Sequence, residues 1–241
     1  MSLALKLVLA PVLVAQAMAT RRRAPKLPEA DGPREGRVGD GPGALRVLIA
    51  GDSSAAGVGV AHQSQALAGY YTHTLHRRLL RPLRWTLRAR SGYTTRQVHQ
   101  MLVDEPPPRA DVAVIVTGVN DVIDQVSSAR AVAHRAALAS WLLDDGRASH
   151  VLFSSLPPIH QFPLLPQPLR RMMGADARRH NEALAAWAAG RPHVWFVPVD
   201  IQLTPATMAS DGFHPGEPVY RTCGEVLARF TVEHILTETS R

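Results

Sequence analysis

The chain has 241 residues, of which 46% are hydrophobic and 20% charged, with a formal net charge of +7 and a single cysteine, Cys223. That length holds one sizeable α/β domain and would cramp two, the composition is that of an ordinary globular protein, and a lone cysteine excludes an internal disulfide. The basic excess does not make a nucleic-acid binder: residues 1–43 hold seven basic against four acidic residues, the remaining chain is only +4, and the few aromatics do not interleave with the arginines as stacking platforms require.

In chain order, the first element is MSLALKLVLAPVLVAQAMA, an apolar stretch interrupted by Lys6 and Pro11 and followed by Arg21-Arg22-Arg23. Residues 1–20 are expected to be an anchor or a signal. An Ala17-Met18-Ala19 cleavage site would suit secretion, to the periplasm or beyond. Three arginines just after it oppose export and favour membrane association on the cytoplasmic side. An interfacial helix whose arginines meet anionic lipid is a third reading, so residues 1–23 are a candidate membrane-surface contact. Residues 21–43 are basic and rich in Pro and Gly, and read as a linker to a domain over 44–241.

A regular alternation follows. Apolar runs predict strands at Val47–Ala50, Trp85–Ala89, Val112–Thr117, Val151–Ser155 and Val194–Val199. Helical patterns lie at 64–80, 94–103, 127–144, 172–189 and 217–237. The expected fold is therefore α/β, with a central parallel sheet of about five strands covered by helices on both faces. Ligands of such sheets bind beyond the carboxyl ends of the strands, which directs attention to loops 51–60, 90–94, 117–126, 156–171 and 200–216.

The first of these loops, GDSSAAGVG, leaves the first strand and offers two chemistries. Phosphate binding fails on both templates. A Walker loop would need glycine where Ala56 stands and a following lysine, and a dinucleotide fingerprint from Gly57 would need glycine at His62. The lipase-type G-x-S-x-G elbow is also broken, by Ala55. A nucleophilic Ser53 remains, provided that a base and oxyanion donors exist elsewhere.

They do. In SDGFHPGEPVY, Asp211 and His214 are three residues apart, close enough for the carboxylate to hold the imidazole Nδ1–H and leave Nε2 for Ser53. Gly92, closing the second strand, can bring its backbone N–H to a substrate, and the Asn120 amide, after Gly118, can donate to an oxyanion. Asp52 and Asp121 read as acids that structure their loops. Loop 156–169 holds five prolines with Ile159, Phe162, Leu164 and Leu165, a rigid cover or an apolar wall for an acyl chain.

GDSSAAGVG, the glycine of RSGYTT, GVND and DGFHP resemble, in order, the four sequence blocks of the SGNH (GDSL-like) hydrolase superfamily, over roughly residues 45–237. The resemblance implies a three-layer α/β/α sandwich of flavodoxin-like topology. It implies a serine esterase or lipase with Ser53 as nucleophile, His214 as base and acid, and Asp211 orienting the histidine. Ser53, Gly92 and Asn120 would form the oxyanion hole. Ser54 departs from the leucine common at that place and is expected to pack locally. No cofactor is implied, and no cluster has metal-ligand spacing. The expected partner is a small-molecule or lipid acyl ester. Ile159, Phe162 and Leu164 are the candidate substrate contacts. A carbohydrate O-acetyl ester, or a catalytically silent binding protein at a membrane, are the alternatives.

Overall fold

Residues 110–116, ADVAVIV, are β-branched or small at almost every position, a composition that fits a strand buried on both faces. In the computed structural model, which describes residues 3–236, this segment is the strand β4 (Ala110–Val116) at the centre of a six-stranded sheet. The other strands are β1 (Glu35–Val38), β2 (Leu45–Gly51), β3 (Leu83–Ala89), β5 (Ala148–Ser154) and β6 (Val194–Val197). They lie in the order β1-β3-β2-β4-β5-β6. The five expected strands all form and all pair in parallel, with Val47 opposite Trp85 on one side and Val112 on the other. Counted among themselves they have the flavodoxin-like order 2-1-3-4-5.

The sixth strand differs from expectation. Within the Pro/Gly-rich stretch 21–43, β1 pairs antiparallel with β3, Glu35 opposite Thr86 and Val38 opposite Leu83. It covers the backbone groups that β3 would otherwise present as an open edge. Four mostly exposed residues, EGRV, leave no alternation in the sequence from which to read such a strand.

Successive residues of a strand point to opposite faces, and β2 shows the consequence. Val47 and Ile49 pack with Tyr71, Leu75, Tyr220 and Leu227 from α2 (Leu67–Leu79) and α7 (Glu217–Thr231). Leu48 and Ala50 pack with Val98, Leu138 and Leu184 from α3 (Thr95–Asp104), α5 (Ser128–Asp144) and α6 (Leu169–Ala188). Two helical layers thus sandwich the sheet. A short helix α4 (Val119–Ile123) follows β4 directly, and an N-terminal helix α1 (Leu3–Arg23) docks against α6. The chain runs from β2 to β3 on one side and then to β4 on the other. The topological switch point therefore lies at the carboxyl end of β2, where Gly51 leads into Ser53.

Candidate active site

Ser53 sits in a tight turn immediately beyond β2, held by Ala56 N–H donating to Asp52 O and Val58 N–H donating to Ser53 O. Gly59 at the exit of this turn has φ +108°, and a Cβ there would stand 2.3 Å from the carbonyl oxygen of Pro215. Only glycine lets the Ser53 loop approach the His214 loop this closely. The second loop closes on itself. Ala209 N–H donates to His214 O, and Gly216 N–H to Thr207 O, at 2.9 Å each.

Within that closed loop Asp211 binds three groups. Its Oδ1 accepts from the backbone N–H of Phe213 and of His214, both at 2.9 Å, and its Oδ2 lies 2.5 Å from His214 Nδ1. On the far side of the ring, His214 Nε2 lies 3.1 Å from Ser53 Oγ. Burial alone would raise the Asp211 carboxyl, but the bonds from His214 and Phe213 outweigh it and hold the group below the usual carboxylate range. Asp211 therefore stays ionised at neutral pH, fixing a proton on Nδ1 and leaving Nε2 basic toward the serine. The sequence-predicted Ser53, Asp211 and His214 form one continuous relay.

The two other predicted donors are neighbours of each other. Asn120, in the first turn of α4, donates from Nδ2 to the carbonyl of Tyr93 at 3.0 Å, which joins the loop after β4 to the Gly92 turn after β3. An amide carries two N–H donors, so this bond leaves a second. Gly92 is exposed, with nothing within 4 Å of where a side chain would project.

Beneath these loops is a buried polar cluster. Asp121 Oδ2 accepts from Thr95 Oγ1 at 2.5 Å, and Thr95 Oγ1 also reaches Thr117 Oγ1 at 2.9 Å. Arg135, only 1% exposed, donates from Nη2 to Thr117 O at 3.1 Å. Gly118 has φ +124°, and a Cβ there would lie 2.0 Å from the Arg135 guanidinium, so glycine is what lets the arginine reach under the loop. Burial lowers the Arg135 pKa, and the charges of Asp121 and Asp52 only partly oppose that effect. Sequence reasoning did not single out Arg135. The available signal was the stripe Ala131, Leu138, Ala139, Leu142 on the core face of α5, which includes position 135.

Asp52 is also buried, at 2% exposed. Its Oδ1 accepts from Ser54 N–H at 3.0 Å, the loop-structuring role expected of it. Burial pushes its carboxyl up to about 7, against the lowering effects of the Ser54 bond, His214 and Arg135. From about pH 4, where the unfolded carboxyl ionises, to about 7, the folded state holds a proton that the unfolded chain has lost. Stability contributed by Asp52 therefore falls across that window as pH rises, by about 4 kcal/mol for a shift of this size. His99 and His180, whose pKa values burial lowers, give the opposite slope, and they cancel when wild type and Asp52→Asn are compared. The difference in unfolding free energy between the two, from urea titrations at pH 4.5 and pH 7.5, is expected to move in favour of Asp52→Asn as pH rises. A difference independent of pH would contradict this.

A cavity of about 70 Å³ adjoins the relay. Ser53 and His214 line it together with Phe162, Leu203, Met208 and Phe213. Of the three predicted substrate contacts only Phe162 is there. Ile159 is fully buried in the packing beneath, and Leu164 is held outside by its N–H donating to Gly212 O. The wall comes instead from segment 199–223, whose apolar residues are too irregularly spaced to declare a common face. Ser54, expected to pack locally, lines the cavity. Among the described residues no group of three or more His, Cys, Asp or Glu is placed to hold a metal ion.

Residues 49–222 match the GDSL-like Lipase/Acylhydrolase family. Among solved structures, a lipase from a goat rumen metagenome is similar at TM-score 0.65 and 18% identity, covering 77% of this chain and 97% of its own. A family 3 carbohydrate esterase from Clostridium thermocellum is similar at TM-score 0.61 and 16% identity, with 83% and 100% covered. An acetylxylan esterase from Geobacillus stearothermophilus reaches TM-score 0.55 at 18% identity, with 77% and 93% covered. No match was found among curated proteins.

Proposed function

The chain belongs to the GDSL-like lipase/acylhydrolase family, hydrolases acting on ester bonds, and on that premise we propose that it cleaves a carboxylic ester through an acyl-enzyme on Ser53. The observation that carries this reading is the unbroken line from Asp211 Oδ2 through His214 to Ser53 Oγ, with contacts of 2.5 and 3.1 Å.

His214 Nε2 takes the Ser53 proton as Oγ attacks the ester carbonyl, and the carbonyl π electrons move to oxygen. The Asp211 carboxylate stabilises the imidazolium that results. The N–H groups of Ser53 and Gly92 and the free amide N–H of Asn120 receive the oxyanion. Collapse of the tetrahedral species breaks the bond to the alkoxy oxygen, which takes the proton from His214 and leaves as alcohol. Water, deprotonated by His214, then repeats the attack on the acyl-enzyme and releases acid and free serine.

Asn120→Ala is expected to lower kcat by roughly 10²- to 10³-fold with little change in KM, the cost of one oxyanion donor. Equal kcat in wild type and variant would remove Asn120 from the role.

The apolar wall of Phe162, Leu203, Met208 and Phe213 supports an acyl chain as the occupant of the cavity. Two of the similar structures are named as carbohydrate esterases, which keeps O-acetyl sugars as the second reading. A series of p-nitrophenyl esters of increasing acyl length separates the two. A kcat/KM that rises from acetate to hexanoate supports the acyl-chain reading. A maximum at acetate, together with acetate release from acetylated xylan, supports the sugar ester.

A further inference from the structure

The helix α1 has two faces with different neighbours. Leu9, Leu13, Gln16 and Thr20 turn inward, spaced as one side of a helix. Leu13 is 7% exposed, and the Gln16 amide donates to Gln167 O at 2.6 Å and accepts from Leu169 N–H at 3.2 Å. The outward face carries Val8, Val12, Val14 and Met18, which are 76, 47, 57 and 51% exposed. They are four of the seven large apolar side chains that stand exposed among the described residues. An ordinary surface helix places polar residues there.

This helix ends on Arg21, Arg22 and Arg23, all exposed. No helix among the described residues is long and apolar enough to cross a membrane. An apolar face closed by a cluster of cations is the chemistry that lies along a bilayer whose headgroups are anionic. A second copy of the chain would answer those arginines with arginines, whereas anionic lipid complements them.

Position gives the surface a purpose. The inward residue Leu13 belongs to the same packed cluster as Phe162, Leu203, Met208 and Val219. Those four also line the cavity beside Ser53. One apolar body therefore carries α1 on its outside and the acyl cavity within. We propose that α1 lays its Val8, Val14 and Met18 face on an anionic lipid surface and so presents the cavity to acyl esters resident in the membrane. This rests on the ester-hydrolase reading above.

The test is co-sedimentation of the full chain with phosphatidylcholine vesicles, with and without phosphatidylglycerol, alongside turnover of soluble p-nitrophenyl acetate. Wild type is expected to partition onto the anionic vesicles. Replacing Arg21, Arg22 and Arg23 together by Gln is expected to weaken that partitioning on the order of 100-fold. Val14→Glu with Met18→Glu is expected to abolish it. Both variants change exposed residues only, and both are expected to turn over the soluble ester as wild type does. Wild type that stays in solution, or variants that sediment as wild type does, would overturn the proposal. So would a vesicle-indifferent dimer that dissociates in the Val14→Glu, Met18→Glu variant. Vesicle binding without ester turnover would refute the catalytic reading and leave the docking standing; turnover without vesicle binding would do the reverse.

Discussion

Ser53→Ala and His214→Ala are each expected to lower kcat/KM for p-nitrophenyl acetate by roughly 10⁴- to 10⁶-fold. In the proposed mechanism the two residues act on one proton, the one that leaves Oγ across the 3.1 Å contact to Nε2. Removing the oxygen leaves the base nothing to deprotonate, and removing the base leaves a hydroxyl whose own acidity is far too low to attack an ester. The effects are therefore not additive. The double variant is expected to retain within about tenfold the activity of either single variant, because the second change removes a partner already idle. Ser53 is a small residue at the carboxyl end of β2 and is 8% exposed, so the alanine variant is expected to unfold at the wild-type temperature. Steady-state kinetics on wild type and the three variants, with thermal melts on the same samples, checks both statements. A double variant far worse than either single one would place the two residues in separate functions.

The second large effect is expected from Asp211→Asn, at roughly 10⁴-fold in kcat. The two ends of this carboxylate do different things. Its Oδ1 receives the backbone N–H groups of Phe213 and His214 and thereby shapes the loop. An asparagine carbonyl can receive them equally, so the loop is expected to stay folded. At Oδ2, the substitution puts an N–H₂ donor against His214 Nδ1. The ring must then carry its proton on Nε2, which faces Ser53 and can no longer accept from it. The expected signature is a large fall in kcat with a melting temperature near wild type. Asp211→Ala, which removes the loop bonds as well, is expected to lose both activity and stability. Unchanged kcat in Asp211→Asn would show that the carboxylate is only a loop clasp.

How much of this was legible in the sequence depended on the range of the signal. The five parallel strands are short apolar runs bounded by polar punctuation, and burial on both faces makes such runs conspicuous. Ser53, Asp211 and His214 were legible for a related reason: each lies at a strand's carboxyl end or before a helix, where the expected sheet concentrates its chemistry. The strand β1 was not legible, because EGRV forms a strand only through the edge of β3, a partner nearly fifty residues away. The cavity wall escaped for the same cause. Ile159 and Phe162 are three residues apart and equally apolar, yet the turn between them buries one at 0% exposure and gives the other to the cavity. Arg135 sat in plain view within a helix, but its role exists only because Gly118, from another element, leaves room for the guanidinium.

Covalent labelling reads out whether Ser53 is a nucleophile activated by His214. A fluorophosphonate ester should modify the folded protein once, with the adduct located on Ser53 by peptide mass spectrometry. Labelling should be absent in Ser53→Ala and slowed by several orders of magnitude in His214→Ala. No adduct on the folded wild type, or an adduct of equal rate that persists in Ser53→Ala, would mean that Ser53 is not the nucleophile.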